Sequence, residues 1–168
     1  NLLLAATLAE GESILQNAAI EPEIDNLVDY LISMGAKIQG RGTRTLIIQG
    51  VESLTPGKGE TIADRIEAGT FLCGAVITRG RVKVTHMVPE HIMAVLNVFK
   101  EIGCDVAIGD SWVEVDARNK SLKPISVTTL PYPGFPTDLQ APLMATLASI
   151  EGNSLIQDTI YHDRFTHI

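Results

Sequence analysis

The chain repeats itself, and the length of the repeat limits what it can fold into. Residues 3–11, 71–80 and 143–152 are three short apolar stretches, each closed by a glycine: Gly11, Gly80 and Gly152. Glycine suits the left-handed position that ends a helix, where a Cβ is unfavourable, so each stretch predicts a helix with a glycine stop; the first is expected over residues 1–10. A strand is predicted after each stop, over residues 12–16, 81–85 and 153–157, with Val82 and Val84 showing the two-residue period of a half-buried strand. Pro22-Glu23 and Pro89-Glu90 then open helices over residues 24–34 and 91–102, because proline and an acid suit a first turn. Ile24, Leu27, Val28 and Leu31 in one helix, and Ile92, Val95, Leu96 and Phe99 in the other, recur at helical spacing. Gly35 and Gly103 close these helices. Strands 36–39 and 104–108 follow, then the turns Gly40-Arg41-Gly42 and Gly109-Asp110-Ser111, then return strands 45–49 and 112–115.

The unit is therefore helix, strand, helix, strand, strand, recurring at about 70 residues, longer than common solenoid repeats and suited to a duplicated α/β unit within a compact domain. The third copy begins at Asp138 and reaches Ile168 without its second helix or hairpin, and the first copy has no strand before its helix. The expectation is an internal fragment with Leu143, Leu147 and Ile150 on an uncovered apolar helix face. Such a fragment is expected to self-associate, swap elements or be marginally stable. Residues 50–62, with Gly50, Pro56, Gly57 and Gly59, are the candidate domain boundary, and residues 117–124 read as a loop inserted between repeats.

A net charge of −7 disfavours nucleic acid and anionic lipid, and an anionic ligand would need a local basic pocket. No apolar run reaches the roughly 20 residues that span a bilayer, no signal-peptide pattern is visible, and the first residue is not Met. Cys73 and Cys104, each in an apolar stretch without metal-ligand spacing, read as buried thiols of a reducing cytoplasm. His162 and His167 stand five apart, a poor match to one metal-binding helix face, and His86 and His91 add no cluster, so no metal is expected.

Three carboxylate or guanidinium positions attract attention. Asp138 follows Pro131, Pro133, Gly134 and Pro136, which predict a stiff, extended approach. It reads either as a helix N-cap, with Thr137, or as a rigidly held carboxylate able to take a proton from a hydroxyl. Asp64 reads as the cap of the helix that follows it, or as a carboxylate facing a cationic group in a cleft. Arg164, in Asp163-Arg164-Phe165, reads as a surface cation or as a planar fork for phosphate or carboxylate. Glu21 and Glu23 read as solvated acids at a helix start.

An ordered set of segments goes further: 5–11 (AATLAEG), 17–19 (NAA), 21–24 (EPEI), 34–38 (MGAKI), 64–71 (DRIEAGTF), 135–140 (FPTDLQ) and 163–167 (DRFTH). In this order they resemble the UDP-N-acetylglucosamine 1-carboxyvinyltransferase family over essentially the whole chain. The resemblance implies an α/β (α+β) fold of repeated βαβαββ-type units with inner helices and outer sheets, an inside-out α/β barrel, incomplete here. Residues 1–62 would end a first domain and residues 63–168 begin a second, truncated in its third repeat. It also implies transfer of the enolpyruvyl group of phosphoenolpyruvate to the 3-hydroxyl of UDP-N-acetylglucosamine. That is a first committed step of peptidoglycan synthesis, in the cytoplasm, without a cofactor. By the same resemblance Asp138 contacts the sugar and acts as base, the backbone at Ile160 contacts the nucleotide sugar, Arg164 belongs to the active site, and Asp64 lies near an interdomain cleft. The family's loop cysteine and several phosphate-binding cations have no counterpart in this sequence, so the chain alone is expected to be inactive. The alternatives are the sister family, 3-phosphoshikimate 1-carboxyvinyltransferase, and a non-catalytic fragment or paralogue.

Overall fold

The structure, a computed structural model, describes every residue except His162, and the reading of His162 lies outside the described residues. The chain divides into two compact units, Asn1–Ile62 and Ala63–Ile168.

The first unit runs α1 (Leu2–Thr7), β1 (Glu12–Gln16), α2 (Pro22–Ser33), β2 (Lys37–Gln39) and β3 (Thr45–Gln49). The return strand β3 is central, antiparallel to both β1 and β2 in the order β1-β3-β2. Its alternate residues Leu46 and Ile48 are buried, and they meet Val28 and Leu31 of α2 and Leu3 and Ala6 of α1. The opening helix is shorter than expected: it stops at Thr7, and Gly11, in the left-handed region, serves the turn into β1 rather than the helix end. Pro22 stands in the first turn of α2 with Glu23 and Asp25, an arrangement that complements the helix dipole. Residues 50–62 carry no helix or strand, yet they are tied along α2. The Thr55 amide donates to the Met34 carbonyl (2.9 Å), and Asn26 Nδ2 donates to the Glu60 carbonyl (2.9 Å).

The second unit repeats that order with α3 (Arg65–Ile77), β4 (Arg81–Thr85), α4 (Met93–Ile102), β5 (Asp105–Gly109) and β6 (Trp112–Asp116). Again the last strand is central, in the order β4-β6-β5, with Val113 and Val115 fully buried. The expected helix from residue 91 is a 3-10 turn, Pro89–Ile92, leading into α4. Helix α4 is amphipathic, burying Val95, Leu96, Phe99 and Ile102, and Gly103 in the left-handed region ends it. Helix α3 ends differently from expectation. Arg79, not Gly80, takes the left-handed position, while the amides of Arg79 and Gly80 bond the carbonyls of Val76 and Ala75. The side chain of Arg79 reaches the Ser149 carbonyl (3.2 Å), which ties the strained turn down.

The third copy is a short β7 (Ser126–Thr128), a 3-10 turn (Thr137–Leu139), α5 (Gln140–Ala148) and β8 (Leu155–Gln157). Strand β7 was not foreseen. It pairs in parallel with β8, Val127 opposite Ile156, and three residues offer too little periodicity to read. The expectation of an uncovered helix face is corrected. Leu143, Leu147 and Ile150 are 0%, 4% and 5% exposed, because the core of α3, α4 and β6 receives them. Helix α5 lies on α3, and Gly69 of α3 makes room for the 3-10 turn that leads into α5. A Cβ there would run into the side chain of Leu139, itself fully buried.

Candidate functional site

The proline segment is a folded turn, not the extended approach expected. The Leu130 amide donates to the Phe135 carbonyl (3.0 Å), the Gly134 amide donates to the Pro131 carbonyl (2.9 Å), and the Tyr132-Pro133 bond is cis. Thr129, at the end of β7, bridges to Phe135, so the turn is closed at its base. The chain leaves it through Thr137 and Asp138, in the 3-10 turn that precedes α5.

Asp138 does not cap a helix. Neither the 3-10 turn nor α5 has a side-chain cap, because Pro136 and Leu139 hold those positions. The carboxylate turns instead to Arg164, whose Nη2 lies 2.8 Å from Oδ1, with the two side chains 52% and 38% exposed. Arg164 Nη1 also donates to Thr137 Oγ1 (3.1 Å), and the guanidinium lies 5.4 Å from the centre of the Tyr161 ring. A fork held by two oxygens and a ring face is more ordered than a free surface cation.

Asp158 stands behind this pair and is 8% exposed. Its Oδ2 accepts from Thr137 Oγ1 (2.6 Å), and its Oδ1 accepts from Thr129 Oγ1 (2.9 Å) and from the amides of Ile160 (2.8 Å) and Tyr161 (2.9 Å). Burial pushes this carboxyl up, but the hydrogen bonds from Thr137, Tyr161, Ile160 and Thr129 together outweigh burial and hold it down at about 2. Because the Ile160 amide is taken by Asp158, what the Ile160 backbone offers a ligand is its carbonyl.

Asp138, Ile160, Tyr161, Asp163 and Arg164 line one open cavity of about 560 Å³. Three of the four expected residues, Asp138, Ile160 and Arg164, therefore share a wall. Asp64 does not join them. Its Oδ1 accepts from the amides of Ile66 (2.8 Å) and Glu67 (3.0 Å), capping α3. The sequence reading missed Thr129, Asp158 and Tyr161, and took Thr137 for a cap. The signal for Asp158 was present: an aspartate at a strand end commonly accepts from amides two and three residues on. Cys73 and Cys104 are free, buried and outside this cavity, and burial pushes both thiols up to about 11. Among the described residues no group of three or more His, Cys, Asp or Glu is placed to hold a metal ion, and no helix is long and apolar enough to cross a membrane.

The family model for EPSP synthase (3-phosphoshikimate 1-carboxyvinyltransferase) matches residues 1–168. The chain belongs to the EPSP synthase family. Within that family it is 49% identical over 168 residues to the UDP-N-acetylglucosamine 1-carboxyvinyltransferase of Hydrogenovibrio crunogenus, covering all of this chain and 40% of that protein. The proteins of the same name from Acinetobacter baylyi and Coxiella burnetii are 49% and 45% identical over 168 residues, again over all of this chain and 40% and 39% of theirs. The chain thus spans about 40% of the length of the curated relatives it matches. The crystal structure of the enolpyruvyl transferase NikO from Streptomyces tendae superposes with a TM-score of 0.80 at 27% identity, covering 98% of this chain and 39% of that one. The mixed helix-and-sheet architecture of this EPSP synthase family member is the enolpyruvyl transferase fold.

Proposed function

We propose that this chain is part of a UDP-N-acetylglucosamine 1-carboxyvinyltransferase, which moves the enolpyruvyl group of phosphoenolpyruvate to the 3-hydroxyl of UDP-N-acetylglucosamine and releases phosphate. The carrying observation is the whole-chain identity of 45–49% to relatives of that name, set beside a cavity in which Asp138 and Arg164 meet. Only the description of the family model favours the shikimate reading. Unit Asn1–Ile62 is then the end of one enolpyruvyl transferase domain and Ala63–Ile168 the start of the next. The setting is peptidoglycan synthesis in the cytoplasm, which serves cell shape and division.

Asp138 is the base in this reading. Its carboxylate takes the proton of the sugar 3-hydroxyl as that oxygen bonds to C2 of phosphoenolpyruvate, while the methylene carbon gains a proton from an acid. The tetrahedral adduct then loses phosphate and a methyl proton to give the enol ether. The described cavity wall carries Asp138 and Asp163 against one guanidinium, Arg164. That balance suits a sugar hydroxyl better than a phosphate, so this cavity is assigned to the sugar end, with the Ile160 carbonyl as a further acceptor. Asp64, as the cap of α3, has a supporting part. No thiol lies at this cavity, and the chain alone is expected to release no phosphate from the two substrates. Titration calorimetry with UDP-N-acetylglucosamine and, separately, shikimate 3-phosphate tests the reading. Saturable binding of the amino-sugar nucleotide alone is expected, and binding of shikimate 3-phosphate alone would overturn it.

A further inference from the structure

Asp158 contacts none of the reacting groups assigned above, yet it is a buried carboxylate bonded to three separate segments of the chain, at Thr129, at Thr137 and at Ile160 and Tyr161 of the cavity wall. We propose that Asp158 is a positioning residue for the candidate base: it fixes the direction of the Thr137 hydroxyl, which holds Arg164, which in turn orients the Asp138 carboxylate. This rests on the function proposed above.

The chemistry of donors and acceptors carries the inference. An ionised carboxylate only accepts hydrogen bonds, and a guanidinium only donates them. The Thr137 hydroxyl lies between the two, 2.6 Å from Asp158 Oδ2 and 3.1 Å from Arg164 Nη1. Its one proton must therefore point to Asp158, which leaves a lone pair facing Arg164. No other orientation satisfies all three groups. Arg164 is thereby anchored through one nitrogen and presents the other, Nη2, to Asp138 Oδ1 at 2.8 Å. The anchor is itself fixed. Thr129 is fully buried at the end of β7, donates to Asp158 Oδ1, and accepts from the Thr159 amide (3.1 Å), while Thr159 Oγ1 donates to the Thr129 carbonyl (2.5 Å). The amides of Ile160 and Tyr161 close on the same Oδ1, so one carboxylate sets both the Ile160 carbonyl and the ring beside Arg164. An asparagine at this position would turn an N–H toward Thr137 and leave the hydroxyl proton without its acceptor, so the direction of the lone pair that faces Arg164 would no longer be fixed.

The test uses the purified chain and four variants: Thr137→Val, Thr137→Ser, Asp158→Asn and the double variant Thr137→Val/Asp158→Asn. The readouts are the side-chain NMR signals of Arg164 and calorimetric binding of UDP-N-acetylglucosamine. Thr137→Val removes the hydroxyl and leaves the other three bonds of Asp158 in place, so it decides the matter even if Asp158→Asn folds poorly. Resolved, slowly exchanging Arg164 guanidinium signals are expected in the wild type and in Thr137→Ser. They should collapse to averaged signals in Thr137→Val and Asp158→Asn, with about tenfold weaker binding. The double variant should be no worse than the weaker single one, because both break one chain of contacts. Arg164 signals unchanged in Thr137→Val, or a Thr137→Ser variant that behaves like valine, would overturn the proposal. A wild-type chain that binds no UDP-N-acetylglucosamine would overturn the functional reading instead, while the Arg164 signals would still decide whether Asp158 positions the pair.

Discussion

Replacing Asp158 by asparagine should change how stability depends on pH, and the sign follows from the site. The carboxyl is held at about 2 against an ordinary 3.8. Burial opposes ionisation there, and four hydrogen bonds overcome it. Each unit of such a shift corresponds to about 1.4 kcal/mol, so the ionised group contributes about 2 kcal/mol of stability near neutrality. Because the folded value lies below the unfolded one, acid protonates the unfolded chain first. The contribution is therefore complete above about pH 4, falls as the pH drops toward 2, and is gone below the folded value. The asparagine side chain cannot titrate. Urea unfolding of wild type and Asp158→Asn at pH 7, 4, 3 and 2 isolates the effect, since every other titrating group is common to both. The stability gap should be largest at pH 7 and narrow by about 2 kcal/mol by pH 2. A gap that stays constant across that range would show that Asp158 is not held ionised by its neighbours.

Three further outcomes follow from the packing. Leu143→Ala should destabilise the chain by about 2–5 kcal/mol in urea unfolding, because the side chain is fully buried; a loss below about 1 kcal/mol would restore the expected uncovered face. Gly69→Ala should cost about 1–3 kcal/mol and shift the Asp138 and Arg164 NMR signals, since the new Cβ meets the fully buried Leu139 beside Asp138; unchanged signals at Asp138 would refute this route. Cys73 and Cys104, pushed up to about 11, should resist a thiol reagent in native chain at pH 8 and react fully in urea; rapid native labelling would contradict their burial.

Much of the fold could be read from local rules. Strands β1 and β4 fall where a strand is expected after a glycine stop, β3 where a return strand is expected after the Gly40-Arg41-Gly42 turn, and Gly103 ends α4 with a φ of +111°. What could not be read depended on contacts between distant segments. Strand β7 is three residues long and exists because β8, nearly thirty residues on, supplies its hydrogen bonds. The burial of Leu143 and Leu147 depends on α3 and α4, not on a completed third repeat. The site divides the same way. Asp64 is a cap because its partners are two and three residues away, which sequence shows. Asp138 looked like a cap by the same rule, but its partner is Arg164, 26 residues downstream, and only the fold brings the two together. Asp158 joins Thr129, 29 residues upstream, to Thr137, and no local pattern predicts that pairing.

The most direct test of the functional reading is where UDP-N-acetylglucosamine binds. A ¹⁵N NMR titration of the chain should move the signals of Asp138, Ile160, Tyr161 and Arg164, which line one cavity, and leave those of β1 and β3 in place. Shifts scattered across the chain, or confined to residues outside that cavity, would contradict the account.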